Sequence, residues 1–95
     1  MFVVELTYKE SLAKVEKYLD EHRRFLDIHY SNGCFIASGP KVPRDGGVIL
    51  VKEMSKKDLE NILLSDPFYR ESIADYKIIE FQAVKYASCL SSFFK

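Results

Sequence analysis

The chain has 95 residues, the size of one domain, and no linker or composition shift divides it. Hydrophobic residues make up 47% and charged residues 29% of the sequence, which is typical of a globular protein and excludes a disordered chain. Lys and Arg residues balance Asp and Glu residues at 14 each, so the sequence lacks the positive charge typical of nucleic-acid-binding domains.

The first predicted elements are a strand and a long helix. Residues Phe2–Thr7 are rich in β-formers and apolar on both sides except at Glu5, which predicts a central strand. The helix is expected to run from Ser11, a predicted N-cap, to about Tyr30. We expect it to end near Gly33, which can adopt the left-handed conformation that stops a helix.

Two shorter strands are predicted next. Gly33–Ser38 predicts the second strand, ended by Gly39-Pro40, and Val48–Val51 predicts a third strand that is fully apolar. The intervening segment Lys41–Gly47 contains an Asp-Gly turn signal, so we expect a loop there.

A second helix and a turn are predicted after these strands. Ser55 is expected to cap the helix, whose inner face would carry Leu59, Ile62 and Leu63. Asp66-Pro67 breaks the helical pattern, and a short helical turn is expected to follow through Ile73.

The last predicted element is a long strand over Tyr76–Tyr86. We expect residues 1–87 to form the domain and residues 88–95 to form a C-terminal tail. Three tyrosines at element ends are expected to pack there: Tyr8, Tyr69 and Tyr76.

The predicted order, β-α-β-β-α-β, is the split βαβ pattern of an α+β, ferredoxin-like domain. Helices in such a fold cover one face of the sheet. Because the predicted strands are nearly apolar on both sides, we expect the other face to be buried too, against a second copy in a two-fold homodimer. The polar exceptions could line a cleft or satisfy cross-strand contacts: Glu5, Glu80 and Gln82.

Several kinds of site and location are disfavoured. Cys34 and Cys89 are too few and too far apart for a disulfide framework or a CxxC metal site, and neither histidine has a metal-site spacing with them. The sequence therefore predicts no metal and no other cofactor. No apolar run reaches membrane-spanning length, and no basic leader precedes Phe2, so we expect a cytoplasmic protein without a membrane partner.

One histidine interrupts the apolar stripe of the first helix. His22 falls where the spacing requires another apolar residue, in a stripe formed by Leu12, Val15, Leu19 and Leu26. A polar ring on a core face needs a partner for each nitrogen that it buries. Two interpretations stay open: a core histidine bonded to a backbone carbonyl, or a general acid or base. His29, at the edge of the stripe, is expected at the surface or at an interface.

Three local groups, taken with the element order, resemble the YciI (YCII-related) family. They are His22 on the first helix, Ser38-Gly39-Pro40 after the second strand, and Ser65-Asp66-Pro67-Phe68 after the second helix. A closing strand with Glu80-Phe81 fits the same pattern. The resemblance covers residues 2–86 and leaves the tail outside it.

The resemblance implies a ferredoxin-like protomer that forms a dimeric α/β barrel, with an active-site cleft around a His–Asp pair. That pair would be His22 and Asp66, and the strand-end motif would be Ser38, Gly39 and Pro40. Relatives include an activity of the dehydrochlorinase type on a chlorinated aromatic. The larger dimeric-barrel group also includes lactone isomerases and cofactor-free oxygenases.

One position departs from the family pattern, because many members carry an arginine one turn before the histidine and this chain has Leu19. A cation for the cleft would then come from Lys41 or Arg44, or the ligand differs. Otherwise these two side chains belong to a solvated loop. Asp66 and Ser38-Gly39-Pro40 also have a purely structural interpretation. Asp66 could be an N-cap before a first-turn proline and nothing more, and Ser38-Gly39-Pro40 could simply end a strand.

Two functions therefore fit the sequence. The first is a small homodimeric enzyme without a cofactor that transfers protons, in an elimination or isomerisation, on a small anionic or aromatic compound. His22 would be the acid or base, and Asp66 would orient it. Ser38 and Arg44 would bind the substrate. The second is a non-catalytic module that binds a small molecule or a partner through the same cleft. Neutral charge and the absence of paired sheet aromatics disfavour RNA binding.

Overall fold

The computed structural model describes residues 1–94, which form four strands and three α-helices followed by a 3₁₀ helix. The elements in chain order are β1 (Phe2–Tyr8), α1 (Leu12–Ser31), β2 (Phe35–Pro40), β3 (Gly46–Val51), α2 (Lys56–Leu63), α3 (Pro67–Arg70), β4 (Ala74–Glu80) and the 3₁₀ helix (Ser88–Phe94).

The strands form one antiparallel sheet in the order β2-β3-β1-β4. This order confirms the predicted α+β, ferredoxin-like topology. Residues alternate along β1: Phe2, Val4 and Leu6 are buried in the core, and the residues between them point to the opposite side of the sheet. We call that opposite side the open face.

The three helices begin where the sequence predicts. Ser11 and Ser55 cap α1 and α2, each accepting a hydrogen bond from a backbone N–H three residues on. Asp66 caps α3, with Pro67 in its first turn. Gly33 follows α1 with φ +81°, the left-handed conformation expected of it. The turn that was expected to reach Ile73 ends as a helix at Arg70.

The core lies between the sheet and one side of α1. Val15 and Phe25 are the buried residues of α1, with Leu19 and Leu26 packed at the edge of the core. Leu12, the first residue of the predicted stripe, is instead 51% exposed, because it lies at the very start of the helix. The core is completed by residues of the other helices, including Leu59, Leu63 and Phe68.

The second strand differs from its prediction in a way that matters for the site. β2 starts at Phe35 and continues through Gly39-Pro40 instead of ending before them. Pro40 is tolerated because β2 is an edge strand. A β-bulge at Ile36 shifts the pairing by one residue, so Ser38 lies opposite the buried Ile49 and on the same side of the sheet.

The last strand is shorter than predicted: it spans Ala74–Glu80 and not Tyr76–Tyr86. It pairs with β1, from Tyr8↔Ala74 to Phe2↔Glu80. Met1 exchanges a last pair of hydrogen bonds with Phe81. The residues after Phe81 leave the sheet despite their β-forming composition.

The open face combines apolar and charged side chains. Val3, Leu50 and Ile79 lie on it, and Ile79 is 44% exposed. Glu5 also lies there and pairs with Lys41 at 3.4 Å, whereas Glu80 and Gln82 are exposed. None of the three polar exceptions lines the cleft described below.

The predicted tail has structure of its own. Ser88–Phe94 form the 3₁₀ helix, in which Phe94 stacks on Tyr86 at 4.1 Å between ring centroids. Lys95, the last residue of the predicted tail, lies outside the described residues. Over residues 1–94, the helices are all too short or too polar to cross a bilayer.

Candidate active site

His22 and Asp66 meet at the centre of the helical layer. Nδ1 of His22 lies 2.8 Å from Oδ1 of Asp66, across 44 residues of sequence. The His22 side chain is 12% exposed and that of Asp66 is fully buried. The hydrogen-bond partner of His22 is therefore a carboxylate and not the backbone carbonyl of the alternative interpretation.

The start of α3 explains why a carboxylate is buried here. Asp66 is the N-cap, and its Oδ1 accepts the backbone N–H of Phe68 at 3.0 Å. Its other oxygen, Oδ2, accepts the hydroxyl of Tyr76 from β4. Together with His22 these groups give the carboxylate three donors, which is what a buried charge requires. The capping role and the histidine contact thus coexist.

This arrangement sets the tautomer of His22. An ionised carboxylate can only accept hydrogen bonds, so Nδ1 of His22 is the donor in its contact with Asp66 Oδ1. In a neutral ring, Nε2 then carries the free lone pair. Within residues 1–94, Nε2 has no hydrogen-bond partner and is not among the enclosed atoms.

The imidazole ring is also fixed by packing. It stacks on the ring of Phe68 at 4.0 Å between centroids, with 5° between the planes. Phe68 is buried and follows Asp66 by two residues, so the same short helix supplies the carboxylate and the ring support. His22 therefore has its position and its orientation set by neighbouring groups before any ligand binds.

Tyr76 is held as a permanent donor to this pair. Burial, and next the negative charge of Asp66 and the hydrogen bond to it, raise the pKa of Tyr76 far above the ordinary value of a tyrosine. The hydroxyl therefore keeps its proton at neutral pH and donates it to Asp66.

A cavity of about 490 Å³ opens beside His22, on the helix side of the sheet. Its wall is mostly apolar, and its polar groups lie at His22, Ser38 and the edge of the cavity. The lining residues used below are Glu16, Leu19, His22, Arg23, Ser38, Arg44 and Phe68.

The structure brings most of the sequence-predicted site residues to this cavity. Ser38, Gly39, Pro40 and Arg44 all line it, and Asp66 lies behind His22 outside the lining. The Ser38 hydroxyl is 2.6 Å from that of Tyr30, so one of these two groups donates to the other. Their roles toward a ligand remain predictions.

Of the two candidate cations, Arg44 reaches the cavity and Lys41 does not. Lys41 reaches across the open face to Glu5 and Thr7, which places its ammonium group on the far side of the sheet from His22. Arg44 lines the cavity and pairs with Glu16 at 2.9 Å.

Sequence reasoning missed two residues of the site. Arg23 lines the cavity from α1, and its position one turn after Leu19 is the signal that could have identified it. Tyr76 was expected only to pack. Starting the last strand at Ala74 instead would have placed Tyr76 on the core side, facing the helices.

The described residues contain no cluster of three or more His, Cys, Asp or Glu side chains that could hold a metal ion. His29, the second histidine, packs against Phe25 and Phe35 at the far end of α1 and does not line the cavity.

Comparison with known proteins identifies a family and similar solved structures. No curated protein sequence matches the chain. A solved structure of 5-chloro-2-hydroxyhydroquinone dehydrochlorinase from Burkholderia phenoliruptrix, in complex with 2,5-dihydroxybenzoquinone, is similar with a TM-score of 0.73. The two are 12% identical over 85% of this chain and 92% of that chain, so the likeness concerns the fold. The YCII-related domain family matches residues 1–82, and the chain belongs to that family.

Proposed function

We propose that the protein is an acid–base enzyme acting on a small molecule, with Nε2 of His22 as the group that takes or gives the proton. The observation that carries this proposal is a histidine with one nitrogen bonded to a buried carboxylate and the other free beside a cavity. A carboxylate partner fixes the tautomer and stabilises the imidazolium that forms when the ring accepts a proton.

The chemistry open to such a group is elimination or isomerisation. In an elimination, Nε2 takes a proton from the substrate, the freed electron pair forms a double bond, and a leaving group departs from the neighbouring atom. In an isomerisation, the same nitrogen returns the proton at a different atom. The fold shared with a dehydrochlorinase supports the first of these.

The lining of the cavity supports a monocyclic or similarly compact substrate that carries negative charge. The partly buried Leu19 and Leu26 side chains offer apolar surface for a ring. Arg23 and Arg44 lie at the edge with Glu16 as their only acidic companion in the lining, which leaves an excess of positive charge. Ser38 would position a substrate oxygen.

Turnover separates this proposal from a binding module. The wild-type protein would be incubated in D₂O with a panel of hydroxylated and chlorinated benzene derivatives and small keto acids, and followed by NMR for deuterium incorporation or loss of chloride. His22→Asn keeps a donor for Asp66 and removes Nε2, so we expect turnover to fall by about 10²-fold or more.

His29→Asn is the matched control, because His29 lies on the same helix but outside the cavity. It should retain turnover. A panel compound that binds the wild-type protein but is never converted would favour the non-catalytic module, and equal turnover in the His22→Asn variant would contradict the role of His22.

We further propose a cytoplasmic homodimer in which two open faces pack against each other. Val3, Leu50 and Ile79 form an apolar row across that face, and the neighbouring Glu5–Lys41 pair could meet its own copy across a two-fold axis. Leu50→Glu should halve the mass measured by light scattering, whereas Leu64→Glu, at an exposed position after α2, should not. A wild-type mass of one chain at micromolar concentration would contradict the dimer.

A further inference from the structure

We propose that Tyr76 is a positioning residue of the site: its hydroxyl fixes the Asp66 carboxylate in the orientation that keeps the proton of His22 on Nδ1 and leaves Nε2 free. This inference rests on the proposed function of His22 and assigns a role to a side chain that the sequence predicted only to pack.

The strand pairing explains how Tyr76 reaches the site. Tyr76 lies opposite Leu6 on the neighbouring β1, and Leu6 is both buried and part of the cavity wall. Residues directly opposite in an antiparallel pair point to the same side of the sheet. Tyr76 therefore projects from the sheet toward the helical layer, where its hydroxyl meets Asp66 at the start of α3.

The two oxygens of Asp66 are not held equally. Oδ1 accepts both the N–H of Phe68 and Nδ1 of His22, whereas Tyr76 is the one donor to Oδ2 among residues 1–94. The terminal torsion of an aspartate is broad, so a carboxylate anchored on one oxygen can turn. With a donor on each oxygen, its plane is fixed and Oδ1 stays directed at Nδ1.

The direction of the Tyr76 hydrogen bond is fixed as well. Burial and the charge of Asp66 raise the pKa of Tyr76, so its hydroxyl remains a donor. Asp66 is fully buried, and removing the hydroxyl leaves its Oδ2 without a donor among residues 1–94. Loss of the hydroxyl should thus act on the orientation of Asp66 and, through it, on His22.

Tyr76→Phe tests this role without any substrate. ¹⁵N NMR of the imidazole ring reports which nitrogen carries the proton. In the variant, we expect the ratio of the Nδ1–H to the Nε2–H tautomer of neutral His22 to fall about tenfold. A change of this size corresponds to the free energy of one charge-assisted hydrogen bond. Tyr69→Phe is the matched control, because Tyr69 packs edge-on against Tyr76 at 5.3 Å and is 45% exposed. An unchanged tautomer ratio in Tyr76→Phe would overturn the proposal.

A second measurement uses the unmodified protein, in case the Tyr76→Phe variant does not fold. Tyr76 and His22 donate to the same carboxylate, so the Cζ signal of Tyr76 should move when His22 takes up its second proton, and that of Tyr69 should not. A Tyr76 Cζ chemical shift that does not change when His22 is protonated would also overturn the proposal. Neither result depends on catalysis, so a protein that converts no substrate would refute the proposed function and leave this test intact.

Discussion

The inner and outer parts of the site are built differently. At the inner part, Asp66 is fully buried, both of its oxygens accept hydrogen bonds, and His22 is stacked on Phe68. At the rim, the side chains of Arg44 and Arg23 are 38% and 65% exposed. The inner part is thus set by folding itself, whereas the rim can be changed without cost to the core. A fixed inner part suits the proposed proton transfer, and an exposed rim suits the selection of a ligand.

The largest expected effect is on the inner part. Asp66→Ala removes an N-cap, worth about 1 kcal/mol, and leaves buried donors without an acceptor, at about 1–3 kcal/mol. We expect the free energy of unfolding to fall by roughly 3 kcal/mol in urea denaturation. Asp27→Ala, at an exposed position of α1, is the control and should stay within about 0.5 kcal/mol of wild type. Equal losses in the two variants would contradict the contrast between the inner part and the surface.

Much of the inner part could be predicted from the sequence because local rules determine it. The spacing of apolar residues placed His22 toward the core, and Asp66-Pro67 is a typical N-cap and first-turn pair, which begins α3 here. The contact between the two residues is not local, since it joins positions 44 residues apart. It came from the family resemblance, and the structure supplies its geometry.

The rim could not be predicted in the same way, because it depends on strand register. Without the bulge at Ile36, strict alternation from Phe35 would turn Ser38 to the open face. No turn or glycine in the sequence marks that bulge. The predicted extent of β4 was also wrong, because pairing with a neighbouring strand, and not β-forming composition alone, decides where a strand ends.

A smaller effect is expected at the rim. Arg44→Ala should weaken the binding of benzoate, a simple aromatic anion, by about two- to fivefold, since an exposed charge contributes up to about 1 kcal/mol. The effect should shrink as salt is added. Arg24→Ala, on the solvated side of α1, serves as the control in the same NMR titration. A larger loss in Arg24→Ala than in Arg44→Ala would contradict the position of the anion site.

Ser38 and Tyr30 provide a sharper test of the rim. Both Ser38→Ala and Tyr30→Phe break the hydrogen bond between their hydroxyls, and Ser38→Ala alone removes the group that faces the cavity. We expect the free energy of unfolding of both variants to lie within about 0.5 kcal/mol of the wild-type value. In ligand titrations, only Ser38→Ala should lose affinity. Equal losses of affinity would mean that the bonded pair, and not the serine alone, contributes to binding.

The smallest expected effect concerns His29. Burial lowers the pKa of His29 below its ordinary value of about 6.5, and the Asn32 amide donates to its Nδ1, which suits the neutral ring. The unfolded chain therefore binds more protons than the folded protein just below pH 6.5. The neutral His29 ring therefore contributes its full stability above about pH 6.5. That stability is lost as the pH falls from 6.5 through the lowered pKa of the folded protein.

Urea denaturation of the wild-type protein and of His29→Asn between about pH 5 and 7.5 would measure the contribution of His29 protonation to stability. The wild-type protein should lose more stability on acidification than the variant does. Parallel curves would show that protonation of His29 does not oppose folding.

The tautomer of His22 in the unmodified protein is the most direct measurement of the site. ¹⁵N NMR at a pH where the ring is neutral should show the proton on Nδ1, bonded to Asp66, and an unprotonated Nε2 beside the cavity. A dominant Nε2–H tautomer would contradict the account, because the nitrogen facing the cavity would then have no lone pair with which to take a proton.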